Sequence, residues 1–227
     1  MRSSIYLEAP GMKILVDTTP DMRSQALRAG LDHLDAVLFT HAHADHIMGF
    51  DDLRRFCEIQ GVALPIYGSA ETLEKIRSIF HYAFAPKQAV PGYVHVIPHV
   101  ITGPFTLGEI EITPLPVPHG AVSTFGFLFG HKGRRLLAYL SDCAEVPEPV
   151  RMLITGVDVA ILDGLRDKPH PTHMTVARAK EAAIAIGAKR AFITHLTHEK
   201  NHVDRQRDVL PEVDVAYDGM KFEFPLD

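Results

Sequence analysis

Tryptophan is absent from this 227-residue chain, and cysteine nearly so, with only Cys57 and Cys143. Two distant thiols cannot build a disulfide framework or a four-cysteine zinc site. Basic excess is missing too. Against 23 Lys and Arg stand 28 Asp and Glu, a formal charge of −5, so nothing points to duplex nucleic acid or an anionic membrane surface. No apolar run approaches the roughly 18 residues of a membrane span. The opening MRSSIYLEAPG lacks the apolar stretch of a signal peptide. A reducing, cytoplasmic setting is the default expectation. Repeats, low-complexity tracts and linker-like segments are also lacking, so one domain over residues 1–227 is expected. At 46% hydrophobic and 22% charged residues the composition is that of a globular chain, long enough to bury about 70% of its unfolded surface. What is plentiful is histidine, at 14 residues, and its placement carries the functional signal.

The pattern alternates strands and helices. Ser3–Glu8 and Met12–Asp17 read as strands around a Pro10-Gly11 turn. Met22, Ala26, Leu27 and Leu31 recur at helical spacing. Asp35–Thr40 is a short apolar run of the kind buried on both faces, and His41–Gly49 follows as a loop. Leu64–Tyr67 reads as a strand and Ala70–Phe80 as a helix with Leu73, Ile76, Ile79 and Phe80 on one face. His81–Gly92, with Pro86 and Pro91, is a candidate lid or pocket wall. Further strands are expected over Glu109–Val117, Thr124–Phe129, Arg135–Leu140, Val157–Leu162 and Arg190–Thr194, with helices over Pro149–Ile154 and Val176–Ile186. Val213–Tyr217 and Lys221–Phe224 are expected to close a sheet. The whole is an α/β arrangement of layered sheets.

The sharpest feature is His41-Ala42-His43-Ala44-Asp45-His46, directly after the buried strand ending at Thr40. Four ligand-type groups fall within six residues, and alanine spacers leave room for close approach. Imidazole with carboxylate suits zinc, manganese or iron rather than calcium. The bland alternative is a polar loop whose histidines face water. Three more ligand-type residues end predicted strands: His119, Asp142 and His195. Singly these could be a turn residue, a helix cap and a core histidine. Together they stand where ligands gather in an open α/β sheet, and the full set is what a two-metal site needs.

In order and rough spacing, these seven residues resemble the metallo-β-lactamase superfamily over nearly the whole chain. The resemblance implies an αββα four-layer sandwich. It implies that His41, His43 and His119 hold one metal, that Asp45, His46 and His195 hold the other, and that Asp142 bridges them. Narrower likenesses lie in Asp17-Thr18-Thr19-Pro20-Asp21, Phe50-Asp51-Asp52-Leu53-Arg54, Pro116-Val117-Pro118-His119-Gly120, Leu162-Asp163-Gly164-Leu165-Arg166, His170-Pro171-Thr172-His173 and Thr194-His195-Leu196-Thr197-His198. They resemble the branch of phosphoribosyl 1,2-cyclic phosphate phosphodiesterases, related to ribonuclease Z and to the B protein of pyrroloquinoline-quinone biosynthesis. On that likeness His173 matches a general acid. Three departures stand out. The family's first N-terminal strand, ending in a Gly-rich turn, has no counterpart here. No Cys-rich structural zinc site can form. Thr19 stands where relatives often have Gly, so the loop there is expected to have changed geometry.

Other residues have two readings each. His198 could bind phosphate oxygen or be solvated at a helix start. Arg166 could grip a substrate phosphate bidentately or simply be exposed. Asp163 could orient a ligand histidine or cap a helix. Cys143 reads as a small buried residue, and His33, His81, His95, His99, His131 and His202 as surface or structural. The expected activity is hydrolysis of a small anionic phosphodiester, a cyclic one foremost, by a hydroxide bridging two divalent ions, zinc or manganese. Asp45 would ligate metal and handle the nucleophile's proton, and His173 would protonate the leaving oxygen. The alternatives are a thioesterase, lactonase or glyoxalase-like hydrolase on the same metals, or a non-catalytic metal-binding protein of cofactor biosynthesis. An uncovered edge strand at the start would favour a homodimer.

Overall fold

The computed structural model describes residues 1–84 and 92–225. Its contacts divide it into two compact units, residues 1–102 and 103–227. No helix among the described residues is long and apolar enough to cross a membrane.

The first unit is built on a five-stranded sheet of order β1-β2-β3-β4-β5. Its strands are β1 Ile5–Ala9, β2 Met12–Val16, β3 Ala36–Leu38, β4 Leu64–Gly68 and β5 Val96–Val100. The β1–β2 hairpin is antiparallel and the remaining pairings are parallel. The helices are α1 Met22–Ala29, α2 Ala44–Ile47, α3 Arg54–Gln60 and α4 Ala70–Ile79. They pack on a core that includes Leu15, Val37, Phe39, Phe50, Ile66 and Ile76. Ser69 caps α4, its side chain accepting from the Thr72 amide, a contact typically worth about 1 kcal/mol. Leu27 is exposed and Ile79 partly so, which narrows the apolar faces read from spacing. Within the expected His81–Gly92 wall, His81–Phe84 forms a 3₁₀ turn. Residues 85–91 lie outside the described residues.

The second unit carries a seven-stranded sheet of order β12-β11-β10-β9-β8-β7-β6. Its strands are β6 Phe105–Leu107, β7 Ile110–Val117, β8 Thr124–His131, β9 Arg134–Leu140, β10 Val159–Asp163, β11 Arg190–Thr194 and β12 Asp214–Val215. β10 is buried along its whole length, as expected of a strand paired in parallel on both sides, here with β9 and β11. The helices are α5 Glu148–Ile154, α6 Val176–Ile186 and α7 His202–Val209. α6 starts where the Thr175 side chain accepts from the Arg178 amide and ends at the left-handed Gly187. It buries Val176, Ala179, Ala183 and Ile186, one stripe at helical spacing. Lys221–Phe224 is not a strand. Phe222 instead packs its ring at a tilt against Phe192, with Arg190 over it, so its apolar side chain is partly buried by ring packing rather than in a ladder.

One glycine ties the fold to the chemistry. The Gly49 amide, just after α2, donates to the Thr18 carbonyl at 2.9 Å. A Cβ there would lie 2.0 Å from the Thr19 carbonyl oxygen. Gly49→Ala must push α2 off the loop that follows β2, at a cost of about 1–3 kcal/mol. At about 2–4 °C per kcal/mol for a chain of this size, the thermal midpoint should fall by several degrees. An unchanged midpoint would show that this strap yields without cost.

Candidate metal centre

In the first unit, parallel pairing brings the ends of β2 and β3 side by side. Asp17 follows β2 in a left-handed conformation (φ 64°), which is uncommon for a residue with a Cβ. The turn aims a fully buried carboxylate at the start of the histidine motif. It accepts from the Thr40 amide and the Thr40 hydroxyl, both at 2.8 Å, and from His46 Nδ1 at 2.8 Å. Because the Thr40 hydroxyl donates to Asp17, its lone pair is left to accept from His41 Nδ1, 3.0 Å away. The carboxylate thereby fixes two imidazoles as Nδ1–H tautomers and leaves their Nε2 atoms as electron-pair donors. Burial pushes the Asp17 carboxyl above its ordinary range, and His46 pulls it back.

His41 Nε2 lies 2.9 Å from His43 Nδ1, and the His41 and His46 rings are 4.3 Å apart. Asp45 Oδ2 is 3.6 Å from His46 Nε2. The expected loop is thus partly helix: α2 carries Asp45 and His46, and the Thr18 amide donates to the His46 carbonyl at 2.8 Å. Thr19 keeps an ordinary backbone; the left-handed residue of this loop is Asp17, two positions earlier.

In the second unit, β7 runs antiparallel to β8, and β8 antiparallel to β9. The C-terminal ends of β7, β9, β10 and β11 therefore point the same way. From those ends come His119, Asp142, Asp163 and His195. His195 also has a left-handed backbone (φ 60°), and its Nε2 lies 3.2 Å from Asp142 Oδ1. His119 Nδ1 bonds the Thr172 carbonyl at 2.9 Å. A carbonyl only accepts, so Nδ1 carries the proton and Nε2 is the electron-pair donor.

His173 Nδ1 bonds Asp163 Oδ2 at 2.7 Å. Its ring stacks on His195 at 5.0 Å and meets His119 edge-on at 4.7 Å. Ligand-type atoms of His119, Asp142 and His173 lie within 4.8 Å of one another, as do those of Asp163, His173 and His195. Asp163 also accepts from the Cys143 and Leu165 amides. Of its two readings, the orienting one holds, but the histidine it orients is His173 rather than a member of the ligand set. Burial raises the Asp163 carboxyl, with the His173 hydrogen bond acting against it. Cys143 is fully buried and its thiol is pushed well up by burial, which fits a packing role. Arg166 donates to the Lys168 and Pro169 carbonyls of its own loop, so its guanidinium braces that loop. His198 is exposed, in a turn ahead of α7 rather than at its start.

Both donor sets fit a borderline divalent ion. They consist of imidazoles and carboxylates, and His41, His46 and His119 are held from behind at Nδ1, so Nε2 would be the atom that meets an ion, the arrangement by which metal-binding histidines are oriented. Sequence reasoning did not see the Asp17–Thr40 relay or the Thr172 carbonyl. The signals for the first were a carboxylate at the end of a predicted strand and the family likeness of Asp17-Thr18-Thr19-Pro20-Asp21.

Comparison with known proteins agrees with this chemistry. Residues 12–196 match the β-lactamase superfamily domain. A crystal structure described as a new diphosphatase from the PhnP family is 35% identical, with a TM-score of 0.88, covering 99% of this chain and 85% of that one. An octanoyltransferase of Porphyromonas gingivalis is 32% identical over 226 residues, which is 96% of this chain but 44% of that protein. Zinc-bound PqqB from Methylobacterium extorquens shares the fold at 20% identity and a TM-score of 0.78, covering 98% and 87% of the two chains. The chain spans about half the length of the curated relatives it matches. With the family domain across most of its length and the ligand motifs in place, the chain belongs to the metallo-β-lactamase superfamily of metal-dependent hydrolases, on the PhnP-like branch.

Proposed function

We propose that the protein is a two-metal phosphodiesterase acting on a small anionic phosphodiester, a cyclic one foremost. In this reading His41, His43 and His119 hold one divalent ion, Asp45, His46 and His195 hold the other, and Asp142 is shared. Zinc and manganese both suit these donors. Two such ions would supply an activated water at neutral pH and neutralise charge on the phosphoryl oxygens.

The chain's own residues do the rest. Asp45 takes the proton of the attacking water. His173, held by Asp163, delivers a proton to the leaving oxygen. His198 and Arg166 are the substrate-binding candidates, of which Arg166 would first have to release its loop carbonyls. The observation that carries the reading is the His173–Asp163 pair packed on His119 and His195. An alkoxide leaves poorly without a proton, whereas a thiolate needs none, so a carboxylate-held imidazole at this place favours an alkoxide leaving group.

Thioester hydrolysis is the second reading. It is favoured by the likeness to an octanoyltransferase, although the matched part is less than half of that protein. A panel of bis-p-nitrophenyl phosphate, a cyclic ribose phosphodiester, an acyl thioester and a lactone, run on zinc- and on manganese-loaded protein, separates the two. The expected result is a kcat/KM at least about 100-fold higher for the phosphodiesters. Preference for the thioester would overturn the phosphodiesterase reading. A cytoplasmic setting and a homodimer through β1 remain parts of the proposal, the second to be checked by light scattering.

A further inference from the structure

His170 has no part in the reaction as described so far, yet it is built into the same cluster. The tetrapeptide His170-Pro171-Thr172-His173 organises three imidazoles. The Thr172 carbonyl holds His119, and the following residue is His173 itself. The Thr172 amide and hydroxyl lie 3.4 Å and 3.2 Å from His170 Nδ1. An amide N–H can only donate, so Nδ1 of His170 is the acceptor. The ring proton of the neutral imidazole then sits on Nε2. This is the donor arrangement opposite to that of His119, produced by the same threonine.

The His170 ring lies 5.0 Å from that of His173, is half-buried, and has no hydrogen bond at Nε2 among the described residues. Burial and the neighbouring His173 and Arg166 hold its pKa below the usual histidine value, which keeps it a neutral, single-proton donor. The Thr172 methyl group packs against Gly120, where an added Cβ would lie 3.0 Å from it.

We infer that His170 is a substrate-binding residue on the leaving-group side, its Nε2–H donating to a hydroxyl or ring oxygen of a sugar-like leaving group beside the proton-donating His173. The inference rests on the phosphodiesterase reading and gives it a substrate class: a phosphodiester whose leaving group carries oxygen acceptors, rather than a bare aryl ester. A donor lost from such a contact costs about tenfold or more in affinity.

The test compares His170→Ala and His170→Asn with the parent protein, metal-loaded, on a cyclic ribose phosphodiester and on bis-p-nitrophenyl phosphate. His170→Ala should raise KM for the sugar substrate about tenfold, with the smaller part of the loss in kcat. The loss in kcat/KM should exceed that for bis-p-nitrophenyl phosphate by a similar factor. His170→Asn, which keeps a donor, should recover part of it. Metal content measured by elemental analysis should stay at the parent value. Equal losses on both substrates, or none on the sugar, with the parent active on both, would overturn the role of His170 and leave the phosphodiesterase reading standing. A parent inactive on both substrates with its metals bound would overturn both. Independently of turnover, long-range ¹H–¹⁵N spectra of the zinc-loaded protein should show His170 as the Nε2–H tautomer. An Nδ1–H pattern would sink the inference by itself.

Discussion

Removing divalent ions from the holoprotein is expected to abolish hydrolysis and to lower its stability together. A catalytic site that loses its ions loses both the activated water and the charge neutralisation at phosphorus, so a fall of at least about 10⁴-fold is expected. The stability effect follows from mass action. Ions present at about 1,000 times their dissociation constant stabilise the folded state by about 4 kcal/mol, which corresponds to about 10 °C in thermal midpoint for a chain of this length. Asp142→Ala should reproduce much of this in one residue. Asp142 Oδ1 lies 3.2 Å from His195 Nε2, and Asp142 is the proposed shared ligand. Its loss should drop the metal content from two per chain to one or fewer, with nearly all activity gone. Elemental analysis after reconstitution checks both points. A parent protein that never exceeds one ion, or an Asp142→Ala protein that keeps two, would break the two-metal assignment.

That a candidate ligand set could be proposed from sequence has a physical reason. Four of its members fall in six consecutive residues, and the other three follow β7, β9 and β11, whose apolar runs announce themselves. The supports of those ligands were harder to see. Asp17 acts from 24 residues before His41, through a left-handed backbone that no pattern in Asp17-Thr18-Thr19-Pro20 declares. Thr172 acts through its carbonyl, which every residue possesses. His195 owes its direction to another positive φ at a residue with a Cβ. Such conformations persist only where surrounding contacts over-determine them, and those contacts come from distant parts of the chain.

The missed elements share a different cause. β5 is an edge strand interrupted by Pro98, which an edge tolerates because one side of its backbone has no ladder to break. β6 has three residues, too few for a period. α7 buries only Arg205 and Val209, so apolar spacing cannot reveal it. It forms on an Asn201 cap and on an ion-pair cluster in which Arg205 and Lys200 both reach Asp167. The opposite error, a strand over Lys221–Phe224, came from alternation that the tilted packing of Phe222 on Phe192 uses equally well.

His173→Ala is the expected second large effect, and its size should depend on the leaving group. A p-nitrophenolate departs without a proton, whereas a sugar alkoxide does not. General acid catalysis contributes about 10²–10⁴-fold, or roughly 3–5 kcal/mol of barrier. Turnover of a cyclic ribose phosphodiester should therefore fall by that factor in kcat, and that of bis-p-nitrophenyl phosphate by much less. Asp163→Asn provides the complementary probe. It keeps a single oxygen acceptor, so its NH2 comes to face either the Leu165 amide or the Cys143 amide and His173 Nδ1, and it removes the negative charge facing that imidazole. The imidazole then loses the anion that holds its Nδ1 proton, so kcat should drop on the sugar substrate more than on bis-p-nitrophenyl phosphate. Metal content should be unchanged in both variants, since neither residue is assigned to an ion. Equal slowing of both substrates with metals retained would make His173 a phosphate-positioning residue instead of a proton donor. Loss of metal in His173→Ala would make it a ligand, which its place within 4.8 Å of His119 and Asp142 donor atoms permits, and the assignment of His195 would then have to change.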